Sequence, residues 1–218
     1  MKKIYLIGLF CLISFISNSQ EVRLNTYAGY VFDDRVDSYY SSTSYYEGTI
    51  KGGFQWGAGL EYKLPNGKGI ELQYLRQDTQ APMVYQDGGI LGGQIQRTTF
   101  DLANNYILVN GNNYFQVNDK VEPYFGAGIG MIISSVENPD SGNSQNFTKF
   151  AWGIRGGSNF WLAENVGIKI QASLMSAVQG AGGGFYFGTG GIGTGVSTYS
   201  SIYQFGFQGG LVFKFPQN

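Results

Sequence analysis

Histidine is missing from this chain altogether, and its single cysteine, Cys11, lies within the first twenty residues. Without histidine there is no Ser-His-Asp or Cys-His catalysis, no imidazole-bound metal and no haem on a proximal His. One cysteine excludes an internal disulfide, a thiolate zinc site and an iron–sulfur cluster. Charge is also scarce: Asp, Glu, Lys and Arg make up 13% of the residues, about half the usual share of roughly 25%. A net charge of −1 leaves no basic surface for nucleic acid. After residue 20 no run of apolar residues is long enough to cross a bilayer as a helix. No calcium loop, phosphate cradle or metal cluster is spelled anywhere, so no cofactor is expected. Glycine and aromatics are plentiful instead, with 34 Gly and 16% Phe, Trp and Tyr. Hydrophobic residues reach 43%, too many for a disordered chain.

The first residues read as an address. Met1-Lys2-Lys3 is a positive start, Ile4 to Ile16 an apolar stretch, and Ser17-Asn18-Ser19 a small-x-small cleavage site. The apolar stretch is shorter than the roughly 20 residues of a spanning helix, so residues 1–19 are expected to be a secretory signal peptide. Bulky Phe10 before Cys11 argues against lipidation. The mature chain, expected as one domain over 20–218, is then exported, acidic and free of cysteine.

Beyond the leader the pattern has a period of two, in eight segments, which predicts strands. Residues 21–32 set Val22, Leu24, Thr26, Ala28, Tyr30 and Phe32 against Arg23, Asn25, Tyr27 and Gly29. Residues 53–64 set Phe54, Trp56, Ala58, Leu60 and Tyr62 against Gln55, Gly57, Gly59, Glu61 and Lys63. Residues 69–77 set Ile70, Leu72 and Tyr74 against Glu71, Gln73 and Gln77. The fourth segment, 97–116, sets Phe100 and Leu102 against Asp101 and Ala103; its parity then blurs at Asn104-Asn105, which predicts a bulge. Alternation returns over 122–133, 148–162, 166–176 and 201–215. Segments 2–3, 4–5 and 6–7 are joined by tight turns, the other pairs by loops of some 14 to 24 residues. All five prolines fall in expected turns, loops or strand ends, as sheets require.

Long loops at one end and short turns at the other describe a membrane barrel. A soluble sandwich also alternates, but its strands are usually about 5–6 residues long, and these run to twice that. The apolar faces carry no charge and have aromatics near their ends, as two interfacial girdles would. The expected fold is therefore all-β: an eight-stranded, antiparallel, up-and-down transmembrane barrel. Eight strands leave an interior that side chains fill. Into it should point Arg23, Lys63, Arg155, Lys169 and Lys214, with Glu61, Glu71, Asp101 and Glu122 to neutralise them. The inward glycines Gly57, Gly59, Gly126, Gly128, Gly130 and Gly157 make room for these side chains, or ease strand curvature.

Pro123-Tyr124-Phe125-Gly126-Ala127-Gly128-Ile129-Gly130 resembles the PYxGxGxG strand of the small outer-membrane β-barrel proteins of Gram-negative bacteria. This is the OmpA/OmpX-like superfamily, and within it the porin-family barrel domains common in Bacteroidetes. The end of the chain, with Gln208, Gly210, Phe213 and Phe215 in register, resembles the C-terminal assembly signal of such barrels. The resemblance implies an outer-membrane location, contact with outer-membrane lipid and lipopolysaccharide, delivery by the barrel-assembly machinery, and a monomer. It implies a non-enzymatic role in envelope structure or surface contact, with a narrow pore for small solutes as the alternative. The lipid-modifying enzymes of this barrel class rely on histidine, which this chain lacks. Residues 37–46, rich in Tyr and Ser, and 180–198, with nine glycines around Phe185-Tyr186-Phe187, are expected as contact loops for a surface ligand of unknown identity, or as hydrated caps.

Overall fold

The computed structural model describes residues 21–41, 44–86, 95–140, 142–178, 184–188, 191–195 and 202–215. The expected signal peptide lies outside them. Among the described residues twelve strands follow one another with no helix between: β1 (Glu21–Val31), β2 (Asp34–Ser41), β3 (Ser44–Ile50), β4 (Gly53–Lys63), β5 (Lys68–Gln86) and β6 (Ile95–Tyr114) make the first half. The second half is β7 (Val121–Asn138), β8 (Asn143–Trp161), β9 (Val166–Val178), β10 (Gly184–Gly188), β11 (Gly191–Gly195) and β12 (Ile202–Phe215). Eight of them, β1, β4, β5, β6, β7, β8, β9 and β12, close an antiparallel ring, each paired with its neighbour and β12 returning to β1. This is the expected barrel.

The turns at one end have local causes. Gly67 takes φ of 76° in the Pro65-Asn66-Gly67 turn, a conformation that suits glycine. The Asn118 carboxamide oxygen accepts the backbone N–H groups of Lys120 and Val121, both at 2.9 Å, and closes the β6–β7 turn.

At the other end the expected long loops are largely strand. β5 runs to Gln86 and β6 begins at Ile95, so these strands continue well past residue 77. At about 3.3 Å per residue and a tilt of about 40°, the eleven residues of β1 rise about 28 Å, enough for the apolar band of a bilayer. The nineteen residues of β5 rise about 48 Å, so about 20 Å of it stands above that band. The β2–β3 hairpin, expected as loop, adds to the same raised wall by pairing Tyr45–Gly48 with Gln86–Met83. At its base the Asp33 carboxylate accepts the Gly52 N–H at 2.7 Å and the Lys51 ammonium at 3.1 Å. These two contacts hold its pKa below the usual carboxylate range.

Pro82 thus lies within a strand and not in a loop. β5 tolerates it because the β3 ladder stops at Gly48–Met83, so no strand needs the missing N–H. The bulge expected at Asn104-Asn105 is absent as well. β6 pairs with β5 from Lys68–Asn113 to Gln86–Ile95, and with β7 from Asp101–Glu137 to Tyr114–Tyr124, without a register shift.

The parity of β6 is also the reverse of that expected at its upper end. Phe100 and Leu102 point inward and are buried, whereas Asp101 points outward and is exposed. The cause is a change of solvent along the strand. In the lower half the outside is lipid and takes Ile107 and Val109, while Asn110 and Asn112 face the lumen. Above the band the outside is water, so the apolar residues turn in. There Phe100, Leu102, Ala81, Met83, Val136, Phe147 and Ile50 form one apolar cluster across the barrel.

Candidate functional site

Two regions carry the chemistry: the lower lumen, where the charges lie, and the wall raised above the membrane band. In the lumen β1 supplies Arg23, Asn25 and Tyr27, β4 supplies Glu61 and Lys63, β5 Glu71, β7 Glu122, β8 Arg155 and Asn159, β9 Lys169 and β12 Lys214, on the inward parity expected.

The charges assemble in two tiers. Nearest the turns, the Arg23 guanidinium donates to both oxygens of Glu122, at 2.7 and 3.1 Å. Lys63 also reaches Glu122, and Asn159 donates to it at 3.0 Å. Glu21 belongs to this tier too, pairing with Arg23 and lying 3.8 Å from Lys214. Sequence reasoning missed Glu21, although its odd number puts it on the parity of Arg23. The Lys214 ammonium sits 3.7 Å from the ring centroid of Trp161, a cation–π contact.

In the tier above, Arg155 pairs with Glu71 and donates to the Asn112 carboxamide oxygen at 2.8 Å. Glu71 also accepts from the Tyr27 hydroxyl and from Asn25. Glu61 sits directly opposite Glu71 in the ladder yet makes no ion pair among the described residues. It accepts from Asn112 at 2.7 Å, Tyr114 at 2.6 Å and Asn25 at 3.2 Å. The Asn25 amide therefore bridges two fully buried carboxylates. Lys169, fully buried as well, has no hydrogen-bond partner for its ammonium among the described residues; it lies 4.3 Å from the Tyr124 ring centroid.

The structure thus brings together eight of the nine residues expected in the lumen, and excludes Asp101, which faces water and accepts from Gln80 at 3.0 Å. The inward glycines meet different neighbours at different positions. A Cβ on Gly59 would stand 2.0 Å from Glu71 Oε1, and one on Gly128 2.0 Å from Asn110 Oδ1, so these make room for side chains. On Gly57, Gly130 and Gly157 it would strike the backbone of the neighbouring strand instead.

Above the charged tiers lies a layer of amides. Gln55, Gln208, Gln171 and Tyr124 are joined in sequence across the lumen, and Tyr106 donates to Gln204, which donates to Gln77 at 2.7 Å. A cavity of about 10 Å³ lies among Gln73, Leu108, Ser173 and Met175. The apolar cluster closes the lumen above it.

Outside, β1 and β12 meet along a ladder that is interrupted once. Backbone pairing is continuous from Val22–Phe215 to Asn25–Val212 and resumes at Ala28–Gly209. Across the gap the Thr26 hydroxyl accepts the Leu211 N–H at 2.9 Å. Phe32, Phe205 and Phe207 cluster beside this seam, with Phe32 and Phe205 stacked at 5.8 Å. Of the residues resembling an assembly signal, Gln208 and Gly210 face the lumen side, and Phe213 and Phe215 the outer face beside the turns.

No family model and no curated protein matches the chain. Solved structures do. It is similar to neisserial surface protein A at 16% identity, over 88% of this chain and 97% of that one, with a TM-score of 0.53. It is similar to the outer-membrane protein OprG of Pseudomonas aeruginosa at 12% identity, over 91% and 97%, with a TM-score of 0.58. At such identities the likeness concerns the fold, which is that of the small bacterial outer-membrane barrels.

Proposed function

We propose that this chain is an integral outer-membrane protein whose barrel does not conduct, and whose role is structural support of the envelope and surface contact through the raised wall. The observation that carries this reading is the layered lumen. Arg155 and Glu71 from opposite parts of the ring meet inside it, amides bridge it above them, and the Phe100–Val136 cluster closes it toward the long hairpins. An aqueous path would need a polar lining throughout its length, and the upper third has an apolar one. The belt of exposed residues such as Leu72, Ile129 and Ile170 is the surface offered to outer-membrane lipid and the acyl chains of lipopolysaccharide. A non-enzymatic role is supported by the missing histidine and by buried carboxylates already engaged by Tyr27, Asn25 and Tyr114. The lipid face needs no second copy to cover it, which favours a monomer. Phe213 and Phe215, exposed or half-exposed at the end of the closing strand, are offered to the assembly machinery.

The test is conductance of the refolded protein in planar bilayers. The expected result is no steady channel in the wild type, with brief openings at most. A large, steady single-channel conductance would overturn the closed reading in favour of a narrow solute pore.

A further inference from the structure

Strands β5 and β9 stand four places apart in the ring, whichever way it is followed, and so face each other across the lumen. Gln73 of β5 and Ser173 of β9 are buried there, at 2% and 6% exposure. Both line the cavity of about 10 Å³, which lies between the tier of Arg155 and the amides of Gln171 and Gln208. Each brings to it one buried polar atom without a hydrogen-bond partner among the described residues, Gln73 Nε2 and Ser173 Oγ. The Gln73 amide is oriented by its neighbour: Asn110 donates to Gln73 Oε1 at 3.1 Å, which leaves the two N–H groups for the cavity. Ser173 lies opposite Arg155 in the β8–β9 ladder, but that guanidinium is turned to Glu71 and Asn112.

Volume and chemistry together select what such a space holds. Buried amides and hydroxyls are costly to leave unpaired. A single water fits a cavity of roughly this size, provided that it finds at least two polar partners. An apolar occupant would leave both polar atoms unpaired. A cation would meet the Arg155 guanidinium with no carboxylate in the wall, and a halide is larger than water. Water alone can accept from the amide and donate to the hydroxyl oxygen at once.

We propose that this cavity binds one water molecule, which accepts a hydrogen bond from Gln73 Nε2, donates one to Ser173 Oγ and so ties β5 to β9 through the middle of the barrel. Two opposite walls that share no ladder are thereby joined by a ligand that the solvent supplies. The inference goes beyond the reading of the barrel as a surface and support protein. It rests neither on that reading nor on whether the lumen conducts, so the bilayer measurement and the following one fail independently.

The test is a crystal structure of the full chain refolded in detergent, at a resolution that shows ordered water, from crystals soaked in sodium bromide. The expected result is an isolated density peak within hydrogen-bond distance of Gln73 Nε2 and Ser173 Oγ, with no anomalous signal from bromine. The peak should be lost in Ser173→Val, whose extra methyl group fills the space. Should that variant fail to fold, the wild type in detergent solution makes the equivalent test: the Gln73 side-chain amide protons should show a nuclear Overhauser effect to a long-lived water. Three results overturn the proposal. One is the absence of both the peak and the Overhauser effect. Another is an anomalous bromine peak, which makes the cavity an anion site. The third is direct contact between Gln73 Nε2 and Ser173 Oγ, in which the two side chains satisfy each other.

Discussion

A lysine placed at two heights on one strand should have two very different costs. Val109 and Ala103 both point outward from β6, six residues apart, in a strand with no register shift. Six residues at about 3.4 Å and a tilt of about 40° separate them by about 15 Å along the membrane normal. Val109 sits among Leu72 and Ile129, its partners in the ladder, in contact with lipid. Ala103 sits level with Asp78 and Ser135, next to Asp101, in water. Val109→Lys should therefore cost about 2–4 kcal/mol, the depth-dependent cost of lysine near the bilayer midplane. Ala103→Lys should change stability by no more than about 0.5 kcal/mol, with the carboxylates of Asp78, Asp101 and Glu137 nearby to favour it. The converse holds for the opposite parity: Phe100→Ala should cost about 3–5 kcal/mol as a core truncation, since Phe100 is fully buried. Reversible denaturant unfolding from lipid vesicles, followed by tryptophan fluorescence, measures all three. Equal costs for the two lysines would refute the change of solvent along the strand and with it the assignment of the membrane band.

Three further outcomes are expected in the same assay. Arg155→Met leaves Glu71 buried without its cation and should cost about 3–5 kcal/mol, whereas the Arg155→Met, Glu71→Gln double variant should recover most of that loss; additive losses would mean that the pair does not interact. Lys169→Met should be neutral or stabilising, because among the described residues the buried ammonium has no hydrogen bond to lose, and a loss above about 2 kcal/mol would show that it is satisfied. Thr26→Val should cost about 0.5–1.5 kcal/mol, the worth of the bond from Leu211 that closes the gap in the seam, while Thr26→Ser leaves it intact.

Much of this barrel is legible in its alternation because a sheet with lipid on one side and a filled lumen on the other must separate residue types by parity. Arg23, Glu61, Glu71 and Lys169 fall inward for that reason, and Leu72 and Ile129 outward. The same rule misplaced Phe100, Leu102 and Asp101. It assumes that the apolar side is the outer side, and above the membrane band this is no longer so. The blurred parity at Asn104-Asn105 is the position at which the outside changes from lipid to water, with no backbone irregularity behind it. Pairing partners were not legible either. Glu61 finds three neutral donors and Glu122 two cations, because partners are chosen by height and stagger around the ring, which composition does not encode. Glu21 was overlooked because it opens the alternating segment, where only the residues after it, Arg23 and Asn25, mark the face it shares.

The seam between β1 and β12 has a consequence in time. Every other neighbouring pair in the eight-stranded ring joins strands that are consecutive in the ring's chain order, and the β4–β5 turn brings Lys63 and Gly69 together across only a few residues. The seam joins Val22 to Phe215 across about 190 residues, and closing so long a loop costs about 3 kcal/mol more in chain entropy than closing that turn. Hairpins therefore form first and the ring shuts last, when the final strand has arrived. Until then the first strand to emerge carries an open edge, and it waits longest of all.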